Sequence, residues 1–136
     1  MFKAEVCTIA IHLLGAILEE EHLAQMTIDK WNKENAEDKG KLFLQVQANS
    51  AIIPDVHVVI VDSFIDAAKL DKIIATGKAT VLLFSTYHDP KNSMQTELDA
   101  IKAYREQIPG TCICHDYDNK TDFAKILISA LEDAVK

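Results

Sequence analysis

Two apolar runs, Val56-His57-Val58-Val59-Ile60-Val61 and Ala79-Thr80-Val81-Leu82-Leu83-Phe84, flank a segment that closes at Gly77-Lys78. Strands buried on both faces of a parallel sheet carry near-continuous Val, Ile and Leu. Between the runs, Leu70, Ile73 and Ile74 recur at helical spacing, which predicts a short helix over 65–76 with Gly77 as its left-handed C-terminal stop. The whole is one βαβ unit. Open α/β sheets bind ligands in the crevice outside the carboxyl ends of their strands. Asp62-Ser63 and Ser85-Thr86-Tyr87-His88 follow the two runs directly and are the first candidates for function.

The rest of the chain supports the same architecture. Residues 5–11 alternate weakly and read as a first, central strand, and a long amphipathic helix follows over 12–36 through Leu14, Ile17, Leu18, Ala24, Ile28 and Trp31. The charged stretch ending at Gly40 stops it, and Leu42 to Val46 supplies a second strand. Residues 47–55 are too few for an ordinary helical crossover, so the second helix is expected as a loop with one turn around Ser50 to Ile53. Ser93 is placed to cap a helix carrying Met94, Leu98, Ile101, Tyr104 and Ile108, which Pro109-Gly110 ends. A short strand over 111–115 and a final helix with Phe123, Ile126, Leu127, Ala130 and Leu131 complete a three-layer α/β sandwich on a mostly parallel sheet of five strands.

Composition bounds the function classes. The 136 residues, 49% hydrophobic, suit a single domain over 1–136. With a formal net charge of −7 and acidic residues spread throughout, the chain has no source for neutralising a nucleic-acid backbone. No apolar run approaches the roughly 18–20 residues of a membrane span, and Glu5, His12 and Glu19 break the N-terminal segment, so a soluble cytoplasmic protein is expected with no membrane partner. The three cysteines are expected as reduced thiols, with Cys112 and Cys114 on opposite faces of the last strand. Cys114, His115 and Asp116 lack a second spaced pair, so no metal is expected. No Gly-rich phosphate loop exists, Gly15 standing alone, and no cofactor is expected.

Several motifs carry a family resemblance. Glu21-His22 precedes Trp31-Asn32 on the first helix, Val56 to Asp62 follows, and Thr76-Gly77-Lys78 leads into Ala79-Thr80-Val81-Leu82-Leu83-Phe84-Ser85. The order resembles the TIR-like and nucleoside 2-deoxyribosyltransferase-like superfamily, in particular a prokaryotic branch with an acidic-Arg pair before Trp-Asn and a Gly-Lys before a strand ending in Phe-Ser. The resemblance implies a flavodoxin-like sheet and a module that hydrolyses or binds nucleotide-like molecules in antiphage defence and signalling. It also implies a glutamate on the helix after the third strand, supporting N-glycosidic cleavage through an oxocarbenium-like centre. That place falls on Lys69, whose charge opposes the developing cation. His22 likewise stands where the motif has arginine.

The expectation is therefore a non-catalytic TIR-like module, binding a nucleotide-derived ligand as a signalling component or phage-encoded decoy, or assembling as a homo-oligomer or with a partner TIR-like domain. Its ligand-binding candidates are His12, Asp62, Ser63, Lys69, Ser85, Thr86, Tyr87 and His88. Hydroxyls, a ring and an imidazole frame a base or phosphate there, and the Lys69 ammonium suits a phosphate. The alternatives are an NAD or nucleoside N-glycosidase with a relocated carboxylate, Asp71, Asp66 or Asp62, and a purely structural interaction domain. Asp62 also fits a turn or helix cap, His12 a helix start, and Trp31 and the Met94 stripe plain core packing.

Overall fold

The computed structural model describes residues 5–14, 18–46, 53–61, 66–85 and 95–135, with backbone alone at 18, 19 and 95–98. In chain order these form β1 (Glu5–Leu14), α1 (Leu18–Lys39), β2 (Lys41–Val46), β3 (Val56–Val61), α2 (Ala67–Ala75), β4 (Ala79–Ser85), α3 (Gln95–Arg105), β5 (Ile113–Tyr117) and α4 (Lys120–Ala134). The five strands make one sheet in the order β2-β1-β3-β4-β5, and every neighbouring pair is parallel. This is the flavodoxin-like order, with its topological switch point between β1 and β3.

Side-chain alternation along the strands builds two cores. One face carries Ile9, Ile11, Val58, Ile60, Val81 and Leu83 against Ala24, Ile28 and Trp31 of α1 and Phe123, Leu127 and Leu131 of α4. The other carries Leu14, Val59, Val61, Leu82 and Phe84 against Leu70 and Ile73 of α2 and the half-buried Ile101 and Tyr104 of α3. All six residues of β3 are buried, as the unbroken apolar run demands. Two helices thus cover each face. Among the described residues, none of the helices is long and apolar enough to cross a membrane.

The helix ends follow local chemistry. Asp66 caps α2, its carboxylate accepting the Lys69 N–H at 3.1 Å, and Asn119 caps α4 by accepting from the Asp122 N–H at 3.0 Å. Gly40 (φ 67°) and Gly77 (φ 75°) take the left-handed conformation just past α1 and α2, where a Cβ would be strained.

Four expectations need correction. β1 runs on to Leu14, so His12 lies inside the strand opposite Val59 and does not start a helix; α1 begins only at Leu18. The last strand begins at Ile113 because a turn closed by the Cys112 N–H on the Pro109 carbonyl (3.1 Å) delays the ladder with β4. Cys112 and Cys114 both pack on the second core, since residues two apart in extended chain share a face. α3 ends at Arg105, short of Pro109. No helix is seen between β2 and β3 among the described residues; the turn expected over 50–53 lies mostly outside them, as do Ser93 and Met94.

The Trp-Asn pair of α1 has a structural task. The Trp31 ring packs on Phe43 of β2 with centroids 4.8 Å apart, and its indole N–H donates to Glu132 of α4 at 3.2 Å. The Asn32 amide donates to the Phe43 carbonyl (2.8 Å) and accepts from the Phe43 N–H (2.9 Å), as a neighbouring strand would. One side chain so occupies part of the exposed edge of the sheet. Asn32→Ala strands both backbone groups, and a loss of about 1–3 kcal/mol is expected in urea denaturation, with faster amide exchange at Phe43. An equal loss for the exposed Gln25→Ala would refute a specific role for the amide.

Candidate functional site

The only imidazoles that the sheet brings together sit at the switch point, among the described residues. His12 on β1 and His57 on β3 point to the same face, because Ala10 is the register partner of His57 and His12 follows two residues later. His12 Nε2 lies 3.1 Å from His57 Nδ1, and the rings are tilted by 35° with centroids 5.2 Å apart. Each residue is only 6% exposed. The outward nitrogens, His12 Nδ1 and His57 Nε2, are buried and have no hydrogen-bond partner among the described residues.

Proton counting shows why this is unusual. A neutral imidazole has one N–H and one lone pair, and the shared hydrogen bond uses one of each. Whichever ring donates, one end of the pair is left with an unaccepted N–H and the other with an undonated lone pair. Each such buried group costs about 1–3 kcal/mol. Burial, then the neighbouring His57 and the Lys69 ammonium, lower the pKa of His12 to about 4, and burial lowers that of His57 as well. Both rings are therefore neutral at physiological pH.

Lys69, in the first turn of α2, is exposed and its charge is felt at His12. Its own backbone N–H is taken by the Asp66 carboxylate. Asp71, farther along α2, accepts the Tyr104 hydroxyl at 2.7 Å. Burial, followed by that hydrogen bond, raises the Tyr104 pKa, so the phenol stays a donor. Both described carboxylates considered for catalysis are thus engaged in holding α2, one at its cap and one against α3. Ser85 ends β4, half-buried, opposite Tyr117 of β5. Asp62, Ser63, Thr86, Tyr87 and His88 lie outside the described residues.

Elsewhere the sequence candidates resolve into packing. Arg105 places its guanidinium 4.5 Å from the Phe84 ring centroid and pairs with Asp116 at 2.5 Å. No group of three or more His, Cys, Asp or Glu able to hold a metal exists among the described residues. Burial raises the pKa of Cys7, Cys112 and Cys114 and keeps the thiols protonated. A shallow groove of about 480 Å³ between α1 and α4, beside Trp31 and Ile128, lies on the other face of the sheet from the histidines. His57 was the residue missed by sequence reasoning. Its signal was an ionisable side chain inside a run that must be buried on both faces.

Comparison with known proteins adds the fold and nothing finer. No protein-family model matches the chain, and no curated protein matches it. Among solved structures it is similar to translation elongation factor SelB from Methanococcus maripaludis in its apo form, with a TM-score of 0.60 at 10% identity. The match covers 97% of this chain and 38% of that one, so the chain spans well under half the length of that protein. At this identity the likeness concerns chain topology alone.

The histidine pair makes a signed pH prediction. A group whose folded-state pKa is lowered to about 4 from 6.5 binds fewer protons in the native state, so stability is full above pH 6.5 and is lost as pH falls toward 4. Over that window His12 accounts for about 3 kcal/mol. In urea denaturation at several pH values, the stability of wild type relative to His12→Leu should therefore fall by about this amount between neutral pH and about pH 4. Parallel profiles would remove the pair as an acid-labile element.

Proposed function

We propose that this chain is a non-catalytic α/β module that takes a nucleotide-derived ligand at the switch point between β1 and β3, in the manner that the TIR-like resemblance implies. The observation that carries the reading is the buried His12–His57 pair at that point, unsatisfied among the described residues, with the Lys69 charge acting on it. Open parallel sheets bind ligands there, and an ammonium favours a phosphate over an oxocarbenium ion. The engagement of Asp66 and Asp71 in α2 argues against relocated glycosidase chemistry. Such a module would act as a receptor in signalling or as a sink for a nucleotide signal.

A second reading, assembly with like domains, draws on a different observation. Val6 and Leu44 share one face of β1 and β2 and are 48% and 49% exposed, with Ile53 at 72% beside the gap where a crossover helix is absent from the described residues. Parallel sheets are normally covered on both faces.

Purified protein incubated with NAD, ADP-ribose, cyclic nucleotides and a nucleoside pool should yield an intact nucleotide on heat release, with no free base accumulating. Lys69→Ala should weaken that binding by about tenfold or more, the loss of one charge-assisted contact. Accumulating base that disappears in Asp71→Ala or Asp66→Ala would overturn the non-catalytic reading. Empty protein that light scattering shows as a dimer, dissociated by Leu44→Glu, would favour assembly.

A further inference from the structure

The buried pair also bears on the chemistry of the ligand, an inference that rests on the binding reading above. In the neutral pair one outward nitrogen lacks a donor, and no tautomer corrects this. One added proton does. A protonated pair keeps the shared hydrogen bond and makes both outward nitrogens, His12 Nδ1 and His57 Nε2, donors. What opposes that proton is the burial of charge and the Lys69 ammonium. A divalent metal cation would meet the same opposition. A group carrying two negative charges would instead balance Lys69 and the added proton together.

We infer that the His12–His57 pair and Lys69 form a proton-coupled site for a dianionic phosphate group, which binds together with one proton taken up by the pair. Among the described residues, the titratable groups acting on His12 are its hydrogen-bonded partner His57 on β3 and, through its charge, Lys69 on α2. Asp66 turns its carboxylate to the Lys69 N–H at the helix cap. His12 lies two residues short of the carboxyl end of β1, and the pair is held in register by the β1–β3 ladder. Because both outward nitrogens are buried, phosphate contact requires a local opening around the rings, with the exposed Lys69 side chain turning toward the anion. The bound anion raises the proton affinity of the pair, and the proton raises the affinity for the anion, by the same factor.

Sulfate is the probe of choice, being a phosphate-like dianion whose own charge is constant across the range. Titration followed by side-chain nitrogen NMR at about pH 5.5, 6.5 and 7.5 should show affinity weakening up to tenfold per pH unit. At saturation the His12 and His57 ring nitrogens should move toward imidazolium positions. Lys69→Gln should weaken binding while keeping the pH slope, and His12→Asn and His57→Asn should each flatten it. Unshifted rings in saturated wild-type protein, or an unchanged slope in both folded histidine variants, would overturn the inference; neither outcome depends on one variant folding. Nucleotide binding with a flat pH profile overturns the proton coupling alone and leaves the ligand reading in place. Failure of every anion and nucleotide to bind overturns both.

Discussion

The parallel pairing of β1 with β3 is the contact on which the rest of the structure depends. It runs unbroken from Ile9–Val56 to Leu14–Val61, and it joins two strands that are not consecutive in the chain. It creates the switch point of the sheet, since β2 lies on one side of the junction and β4 and β5 on the other. It places Ile9, Ile11, Val58 and Ile60 under α1 and α4, and Leu14, Val59 and Val61 on the face of α2 and α3. A one-residue slip would exchange those faces and turn both cores inside out.

The same register sets two imidazoles side by side in a place where apolar contact would otherwise prevail. A well-packed sheet has no need of this pair, and two buried nitrogens without a partner among the described residues oppose folding. Groups of this kind tend to mark a ligand, a proton or a switch. The Lys69 charge adds to burial and to His57 in disfavouring a proton on His12.

Much of the architecture was legible in local pattern. The runs at 56–61 and 79–84, the glycine stops at Gly40 and Gly77, and the helix over Phe123, Leu127 and Leu131 all stand where spacing puts them. Element limits were less legible where tertiary contacts override local preference. β1 continues three residues past its expected end because β3 offers partners as far as Val61, and β5 starts late because a proline turn must close first. The site was legible only in part. His12 and Lys69 emerged as candidates, but His57 was hidden in an apolar run, and Asp66 and Asp71 took on structural roles that spacing does not reveal.

By itself the sequence determined the class of fold, because a chain with two buried parallel runs, short helices between strands and glycines at the helix ends has few other ways to bury its apolar surface. It also determined which residue types are on hand at the carboxyl ends of the strands. Only the tertiary structure decided which of them meet. His12 and His57 are 45 residues apart in the chain and 3.1 Å apart in the fold. Asn32 reaches Phe43 and Tyr104 reaches Asp71 across elements in the same way. Strand order and register are set by the summed packing of both sheet faces, a property of the whole chain that no local window of residues contains.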